Sequence, residues 1–233
     1  YVIHSGQYKT RPNSVITRYG SRFEYASPEE TPAFMTDLVN WYNEAEQSGK
    51  FTPIELAALF HYRYIRIHPF EDGNGRIARL MVNYILLRNG FPMIVVRSRK
   101  RNEYLEALHK TDLTVGASPY LGAHASKRDI QQFLTYFTNI FVEEVTYHIR
   151  FLTERGENVW WFDGERILFR TDTTSRILNL MYEFPDITIP RLSKEVGISM
   201  NAVNKQIKQL TEKGYIQRTE RNGNWRLIIT PSI

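Results

Sequence analysis

The side chains best suited to chemistry are concentrated in residues 68–79, which read HPFEDGNGRIAR. This run places an imidazole (His68), a carboxylate (Asp72) and two guanidinium groups (Arg76 and Arg79) within a dozen positions. Histidine is the side chain whose ordinary pKa lies nearest neutral pH, so His68 is a candidate general base. Two arginines so close together indicate that the site receives a negatively charged ligand.

The second half of the run predicts the start of a helix near Asn74 and Gly75. The first N–H groups of a helix have no partner within it and bind anions readily. Gly73 and Gly75 let the backbone turn tightly and come close to a ligand. Arg76 and Arg79 share one face of the first turn, where cations oppose the helix dipole, so an external anion is expected there.

Asp72 lies next to this expected anion site, where a carboxylate repels a phosphate unless a cation lies between them. A magnesium ion shared by Asp72 and phosphate oxygens removes the conflict. A base, a metal ligand, an anion site and two arginines together predict phosphoryl or nucleotidyl transfer.

Two apolar helical segments must position these residues. Residues 52–55, Thr-Pro-Ile-Glu, form a capping box that predicts the start of the first helix. Pro69 limits that helix to about His68. The second helix is expected to end at residues 89–92, Asn-Gly-Phe-Pro. Both helices have wide apolar faces, so the run is expected to be a rigidly held loop between them.

The run resembles the signature of the Fic family, His-x-Phe-x-Asp/Glu-Gly-Asn-Gly-Arg-x-x-Arg, and meets every defined position. Members of this family typically transfer AMP from ATP to a hydroxyl side chain of a target protein. The resemblance implies that His68 deprotonates the target hydroxyl and that Asp72 holds Mg²⁺. It also implies that Phe70 anchors the loop in the core. The nucleotide-binding residues that it implies within the run are Phe70, Gly73, Asn74, Gly75 and Arg76, with Arg79 at the γ-phosphate.

Two further segments gain a meaning from this resemblance. Residues 14–19 and 22–25 flank Gly20-Ser21 and predict a β-hairpin. In Fic proteins a hairpin at this position docks the target segment, although an ordinary surface hairpin fits the pattern equally well. Asn102 and Tyr104 lie in a helix that is similar to a segment lining the nucleotide pocket, so both are candidates for adenosine contact. A buried core tyrosine is the alternative for Tyr104.

The C-terminal part predicts three short helices and a hairpin, which resembles a winged helix-turn-helix domain. Residues 171–233 hold nine Lys or Arg and six Asp or Glu, a net charge of 9 − 6 = +3. Such a domain binds duplex DNA or another protein. The residues expected to meet a duplex are Asn201, Asn204, Lys205 and Lys208 on the third helix and Arg221 on the wing.

We therefore expect a mainly α fold, with a Fic-like helical bundle and β-hairpin flap in residues 1–165 and a winged helix domain in residues 166–233. The chain has no cysteine and a net charge of +5, and no apolar run approaches the length of a membrane span. We expect a cytoplasmic protein without membrane contact, and further residues upstream of Tyr1.

The leading function is Mg²⁺-dependent transfer of AMP from ATP to a Ser, Thr or Tyr hydroxyl of a protein. One alternative at the same site is removal of AMP or transfer of another phosphate-containing group. Another is a DNA-binding transcriptional regulator that uses the Fic part as a ligand sensor. His68 argues against a pure sensor, which needs no base.

Many Fic proteins are inhibited by a helix with the pattern Ser/Thr-x-x-x-Glu-Gly/Asn, whose glutamate pairs with the second motif arginine, here Arg79. Residues 153–158, Thr-Glu-Arg-Gly-Glu-Asn, match this pattern. Three of its six positions are unconstrained, and Gly156 disfavours a helix where the pattern needs one. We therefore interpret the match as a coincidence.

Overall fold

A computed structural model describes residues 6–16, 22–154, 158–169, 171–218 and 223–232. The chain divides into two compact units, Tyr1–Val145 and Thr146–Ile233. The mainly helical fold with a C-terminal winged helix domain is confirmed. The boundary near residue 165 stays a prediction.

The first unit is a helical bundle that carries a two-stranded antiparallel sheet. Strands β1 and β2 pair so that Ser14 lies opposite Glu24. This pairing confirms the predicted hairpin, whose connecting residues 17–21 lie outside the described residues. The elements are β1 (Ser14–Ile16), β2 (Arg22–Glu24), α1 (Thr31–Ser48), α2 (Pro53–Ile67), α3 (Asn74–Arg88), a 3₁₀ turn (Ser98–Lys100), α4 (Arg101–Val115), α5 (Pro119–Ala123) and α6 (Gln131–Thr153), which continues past residue 145.

Helix α2 is the centre of the first unit. Every residue from Leu56 to Ile67 is buried, as expected of a helix that is surrounded by other helices. It packs against α1, α3 and α5. The predicted capping box is confirmed, because the Thr52 side chain accepts from the Glu55 backbone N–H and the Glu55 carboxylate accepts from that of Thr52. The cap defines the start of α2, and the surrounding helices hold it in place. His68 lies at the opposite, C-terminal end.

The buried arginines of α2 have partners for their guanidinium groups, as burial requires. Arg63 stacks on Trp41 at 3.9 Å from its ring centroid and donates to the Ala125 carbonyl. Arg66 is 1% exposed and pairs with Asp112 at 3.1 Å. The Arg66 side chain passes so close to Gly122 that a Cβ there would lie 2.4 Å from its Nε. Gly122 therefore allows α5 to pack against α2.

Two local predictions from the sequence are wrong: Thr31-Pro32 predicts a helix capped by Thr31, and the small residues of 116–127 predict a loop. Thr31 is not the cap of α1, because its hydroxyl donates to the Ser27 carbonyl at 2.7 Å and the helix begins at Thr31 itself. Residues 116–127 were expected to be a loop, but they contain the short helix α5. Pro119 stands in its first turn, a position that proline favours. The small residues that suggested a loop are instead those that fit against α2.

The second unit contains the three predicted helices and two small sheets. Its elements are β3 (Val159–Phe162), β4 (Glu165–Leu168), α7 (Asp172–Glu183), α8 (Ile189–Val196), α9 (Met200–Glu212), β5 (Ile216–Arg218), β6 (Trp225–Leu227) and β7 (Thr230–Pro231). Strands β5 and β6 form the predicted hairpin. The sheet β4-β3-β7 was not predicted. It buries Trp160, which packs into the same core as Ile177 and Leu192.

Candidate active site

His68 lies at the C-terminal end of α2 in the left-handed region, with φ of 53°. Its backbone N–H donates to the Tyr64 carbonyl at 2.9 Å. Its ring stacks on Tyr25, with centroids 3.9 Å apart and planes 11° apart. Nδ1 lies 3.3 Å from the Ile65 carbonyl oxygen, which only accepts hydrogen bonds, so this contact places the proton on Nδ1. Nε2 is then the nitrogen that accepts a proton.

The surroundings keep the His68 imidazole neutral. Burial lowers its pKa to about 4, against the opposing effect of the Ile65 carbonyl, and the charge of Lys9 lowers the pKa further. At neutral pH the ring is therefore unprotonated and ready to act as a base.

Residues 8–13, which we call the strap, form hydrogen bonds to the backbone of the loop that follows α2. The Lys9 backbone N–H donates to the Pro69 carbonyl at 2.9 Å, and its ammonium donates to the carbonyl of His68 at 2.9 Å. Asn13 donates to the carbonyl of Phe70 at 3.0 Å. The polar, aperiodic sequence of residues 1–12 predicts a segment that wraps the surface. Lys9 is nevertheless 3% exposed, and no periodicity could have revealed that.

Asn74 and Phe70 close the loop. Asn74 is 2% exposed, and its side chain accepts from the Phe70 N–H at 2.9 Å and donates to the Phe70 carbonyl at 2.7 Å. The Phe70 ring packs against the core of the first unit. The side chain of Asn74 is therefore engaged by the loop, and its backbone N–H is the group that remains for a ligand.

The N-terminus of α3 is open. The first helical hydrogen bond is donated by Ile77 to the Gly73 carbonyl, so the N–H groups of residues 74–76 have no partner within the helix. Gly73 caps the helix with φ of 84° and no side-chain hydrogen bond, and the first turn contains no acidic residue. A Cβ on Gly75 would lie 3.3 Å from Arg79 Nη1. Because the two glycines have no side chains, the start of α3 stays accessible to an anion.

Asp72 and Arg76 form an exposed ion pair at 2.9 Å, with side chains 69% and 73% exposed. Arg79 is also exposed. Within the described part of the chain, no group of three or more His, Asp or Glu side chains forms a metal cage. The exposed carboxylate of Asp72 beside an anion site instead fits Mg²⁺, which prefers one or two carboxylates plus substrate phosphates.

Tyr104 and Asn102 occupy different environments on α4. Tyr104 is 9% exposed, and its hydroxyl lies 3.0 Å from Nε2 of the buried His61. It lines a cavity of about 20 Å³ together with His61 and Arg79, which is room for about one water molecule. Asn102 is exposed and is not among the cavity residues. Tyr104 and Arg79 thus meet at this cavity, and Asn102 does not line it.

In the second unit, α9 presents the polar face that the sequence predicted. Asn201, Asn204, Lys205 and Lys208 are exposed, while Val203 and Leu210 are buried in the core. Lys208 makes only a loose contact of 3.9 Å with Glu212. Arg221, the expected contact from the wing, lies outside the described residues. Among the described helices, none has the length and apolar character needed to cross a bilayer.

Comparisons with known proteins match both units. The family model described as "Fic/DOC family" matches residues 2–86, and the one described as "Winged helix-turn-helix DNA-binding" matches residues 170–217. A Fic domain containing signaling protein from Bacteroides thetaiotaomicron is a similar solved structure. It has 56% sequence identity and a TM-score of 0.61, over 62% of this chain and 54% of that chain.

Among the curated relatives, two match about two fifths of this chain. "Protein adenylyltransferase fic-1" of Caenorhabditis elegans is 43% identical over 95 residues, which is 41% of this chain. "Protein adenylyltransferase Fic" of Nematostella vectensis is 53% identical over 86 residues, or 37% of this chain. The matched regions span only 18% and 20% of the lengths of these two relatives.

Proposed function

We propose, from the premise that this chain carries a Fic domain followed by a winged helix-turn-helix domain, that it transfers AMP from ATP to a protein hydroxyl. The names of the relatives support adenylyl transfer at the level of the family. One observation carries the proposal for this chain. A neutral His68, with Nε2 as its free acceptor, stands in one short loop with the open N-terminus of α3.

The reaction joins the target hydroxyl oxygen to the α-phosphorus of ATP. The bond between the α-phosphorus and the α,β-bridging oxygen breaks, and pyrophosphate leaves. Nε2 of His68 takes the hydroxyl proton as the new bond forms. The imidazole keeps its orientation because Nδ1 is engaged by the Ile65 carbonyl and the ring is stacked on Tyr25.

The negative charge of the phosphates is met by this chain's own groups. The N–H groups of residues 74–76 and the guanidinium of Arg76 stabilise the charge on the α- and β-phosphates. Arg79 reaches the γ-phosphate. Asp72 would hold Mg²⁺, which would supply positive charge to neutralise the phosphates. The exposed Asp72–Arg76 pair is weak enough to open when these ligands bind.

The target protein presents its hydroxyl next to the β1–β2 hairpin. A two-stranded sheet leaves backbone groups unpaired along its outer edges, where an extended peptide adds as a further strand. Tyr25, the residue that follows β2, stacks on His68. A peptide bound along the hairpin therefore lies close to the base.

The test is to incubate the whole chain with a cell lysate and nucleoside triphosphates labelled at the α-phosphate, and to identify labelled proteins by mass spectrometry. We expect AMP on a Ser, Thr or Tyr of a target and no transfer by His68→Ala. Label from another nucleotide, or release of AMP from a pre-modified target, would favour the alternative reactions at this site. Transfer by His68→Ala at the wild-type rate would refute the role of His68.

The low pKa of His68 gives a second test with a defined sign. The pH dependence of kcat/KM reports on groups of the free enzyme. Because burial lowers the pKa of His68 to about 4, kcat/KM should persist as pH falls through 6.5. A loss of activity centred near pH 6.5 would show that the base is an ordinary, solvated histidine.

Duplex DNA is a second candidate ligand, bound by the second unit. The observation that favours it is the match of residues 170–217 to a DNA-binding winged helix model, together with the exposed Asn and Lys side chains of α9. A gel-shift titration of the whole chain with random duplexes at low salt tests it. Absence of any shift would favour a protein-docking role for this domain.

A further inference from the structure

We propose that Lys9 and Asn13 of the strap are positioning residues, which hold the turn after α2 in the conformation that presents the His68 imidazole as a base. The inference rests on the proposed function and extends it to two residues outside the motif. Neither side chain is expected to touch the nucleotide.

The strap satisfies four consecutive carbonyl groups. The Lys9 ammonium donates to the carbonyls of Ile67 at 3.1 Å and His68 at 2.9 Å, and its backbone N–H donates to that of Pro69 at 2.9 Å. The carboxamide of Asn13 donates to the carbonyls of His68 at 3.3 Å and Phe70 at 3.0 Å. Because α2 ends at Ile67, carbonyls at this end need partners from outside the helix.

These contacts support a backbone conformation that is unfavourable for histidine. His68 has φ of 53°, and a non-glycine residue in an unfavourable conformation persists only where its surroundings determine it. The Lys9 ammonium is itself held in place, because it also donates to Asn13 Oδ1 at 2.8 Å. Loss of either side chain should therefore let the turn relax and move the imidazole.

Lys9 also acts on His68 through its charge. Burial lowers the pKa of Lys9 to about 8, against the opposing effect of Glu30, so Lys9 stays mostly protonated at pH 7. Its charge lowers the pKa of His68. Among the described residues, Tyr25 is the titratable group that stacks on the imidazole; burial raises its pKa to about 12, so it stays neutral. Removing the ammonium should therefore raise the pKa of His68.

The experiment compares Lys9→Met, Asn13→Ala and the matched control Arg11→Met, which removes a cation from an exposed side chain of the same strap. We expect kcat for AMP transfer to fall about 10- to 100-fold in Lys9→Met and about 10-fold in Asn13→Ala, because small misplacements of a catalytic group are costly. The Kd for ATP should change less than threefold, and Arg11→Met should match the wild type. If Lys9→Met does not fold, Asn13→Ala, which keeps the buried ammonium, decides the test.

A nuclear magnetic resonance titration of His68, assigned by its loss in His68→Asn, separates the two proposals. We expect a higher pKa of His68 in Lys9→Met than in the wild type or in Arg11→Met. If the wild type transfers no AMP, the proposed function fails and this titration still tests the role of Lys9. An unchanged pKa, turnover within threefold of wild type in both folded variants, or a loss of ATP affinity equal to the loss of kcat would overturn the positioning role.

Discussion

Two helix–turn–helix arrangements in this chain share a left-handed residue at the end of the first helix but serve different purposes. Helices α2 and α8 each end at a residue in the left-handed region, His68 with φ of 53° and Gly197 with φ of 79°. Glycine adopts this conformation without strain, and histidine does so at a cost. The turn after α8 therefore carries the residue that its geometry prefers, and the turn after α2 carries the residue that its chemistry needs.

The helices that follow these turns differ in the same way. Helix α9 is capped by Ser199, whose side chain accepts from the Ala202 N–H, so it satisfies one of its own free donors. Helix α3 begins after Gly73 with no side-chain cap, and its first N–H groups remain available. A turn with a purely structural role satisfies its own polar groups, whereas a turn that binds a ligand leaves some of them for that ligand.

The largest expected effect comes from replacing His68, in the turn after α2, with glycine, the residue at the matching position after α8. His68→Gly should lower the transfer rate by roughly 100- to 10,000-fold, because it removes a general base. It should change the free energy of unfolding by less than about 1 kcal/mol, since relief of the left-handed conformation offsets the lost contacts. The matched change, Gly197→Ala, meets no atom within 4 Å. It should destabilise the protein by about 1–2 kcal/mol through backbone strain alone and leave transfer unchanged.

Rate assays and denaturant titrations of both variants measure this contrast. An active His68→Gly enzyme would mean that another group takes the proton. A strongly destabilised His68→Gly protein would mean that the stack on Tyr25 outweighs the backbone strain.

The open end of α3 is tested by Asp72→Ala. We expect ATP to bind at least about tenfold more weakly in the presence of Mg²⁺, a difference of about 1.4 kcal/mol, because the carboxylate and the phosphates no longer share a cation. Without Mg²⁺ the variant should bind ATP as well as the wild type or better, since a repulsive charge is gone. Calorimetric titrations with and without the metal ion measure both values. An unchanged metal dependence would remove Asp72 from the site.

The DNA contact proposed for α9 is tested by reversing two charges on this helix. Lys205→Glu with Lys208→Glu should weaken duplex binding and lower the dependence of log K on log salt by about 2, if each lysine meets one phosphate. Transfer of AMP to a protein should be unaffected. Fluorescence anisotropy over a range of salt concentrations gives the slope. An unchanged slope would place the DNA contact elsewhere, or exclude it.

The sequence predicted the elements whose signals are local. The capping box at Thr52 and the end of α2 near Pro69 each depend on a few adjacent residues. The motif 68–79 carried the candidate site for the same reason, because its residues are contiguous. The predicted start of α3 near Asn74 is observed, and the chemical roles of the motif residues stay predictions.

Features that depend on contacts distant in sequence were missed. Lys9 lies 58 positions before Ile67, whose carbonyl it binds, and nothing in a polar, aperiodic segment signals that burial. The β4-β3-β7 sheet joins Trp160 to Pro231 across most of the second unit. Helix α5 depends on Gly122 making room for Arg66. Each of these features is decided by packing, which a local pattern does not encode.

The smallest expected effect concerns whether the open end of α3 is blocked by this chain itself. Residues 153–158 match the inhibitory pattern, but Arg155, Gly156 and Glu157 lie outside the described residues. Thr153 is in the last turn of α6, where its hydroxyl donates to the Ile149 carbonyl, and Glu154 pairs with Arg150. Because Gly156 disfavours continuation of the helix, Glu157→Gly should change auto-modification by less than about threefold, or roughly 0.7 kcal/mol. A tenfold or larger rise in auto-modification, measured with α-labelled ATP, would show that Glu157 inhibits this site.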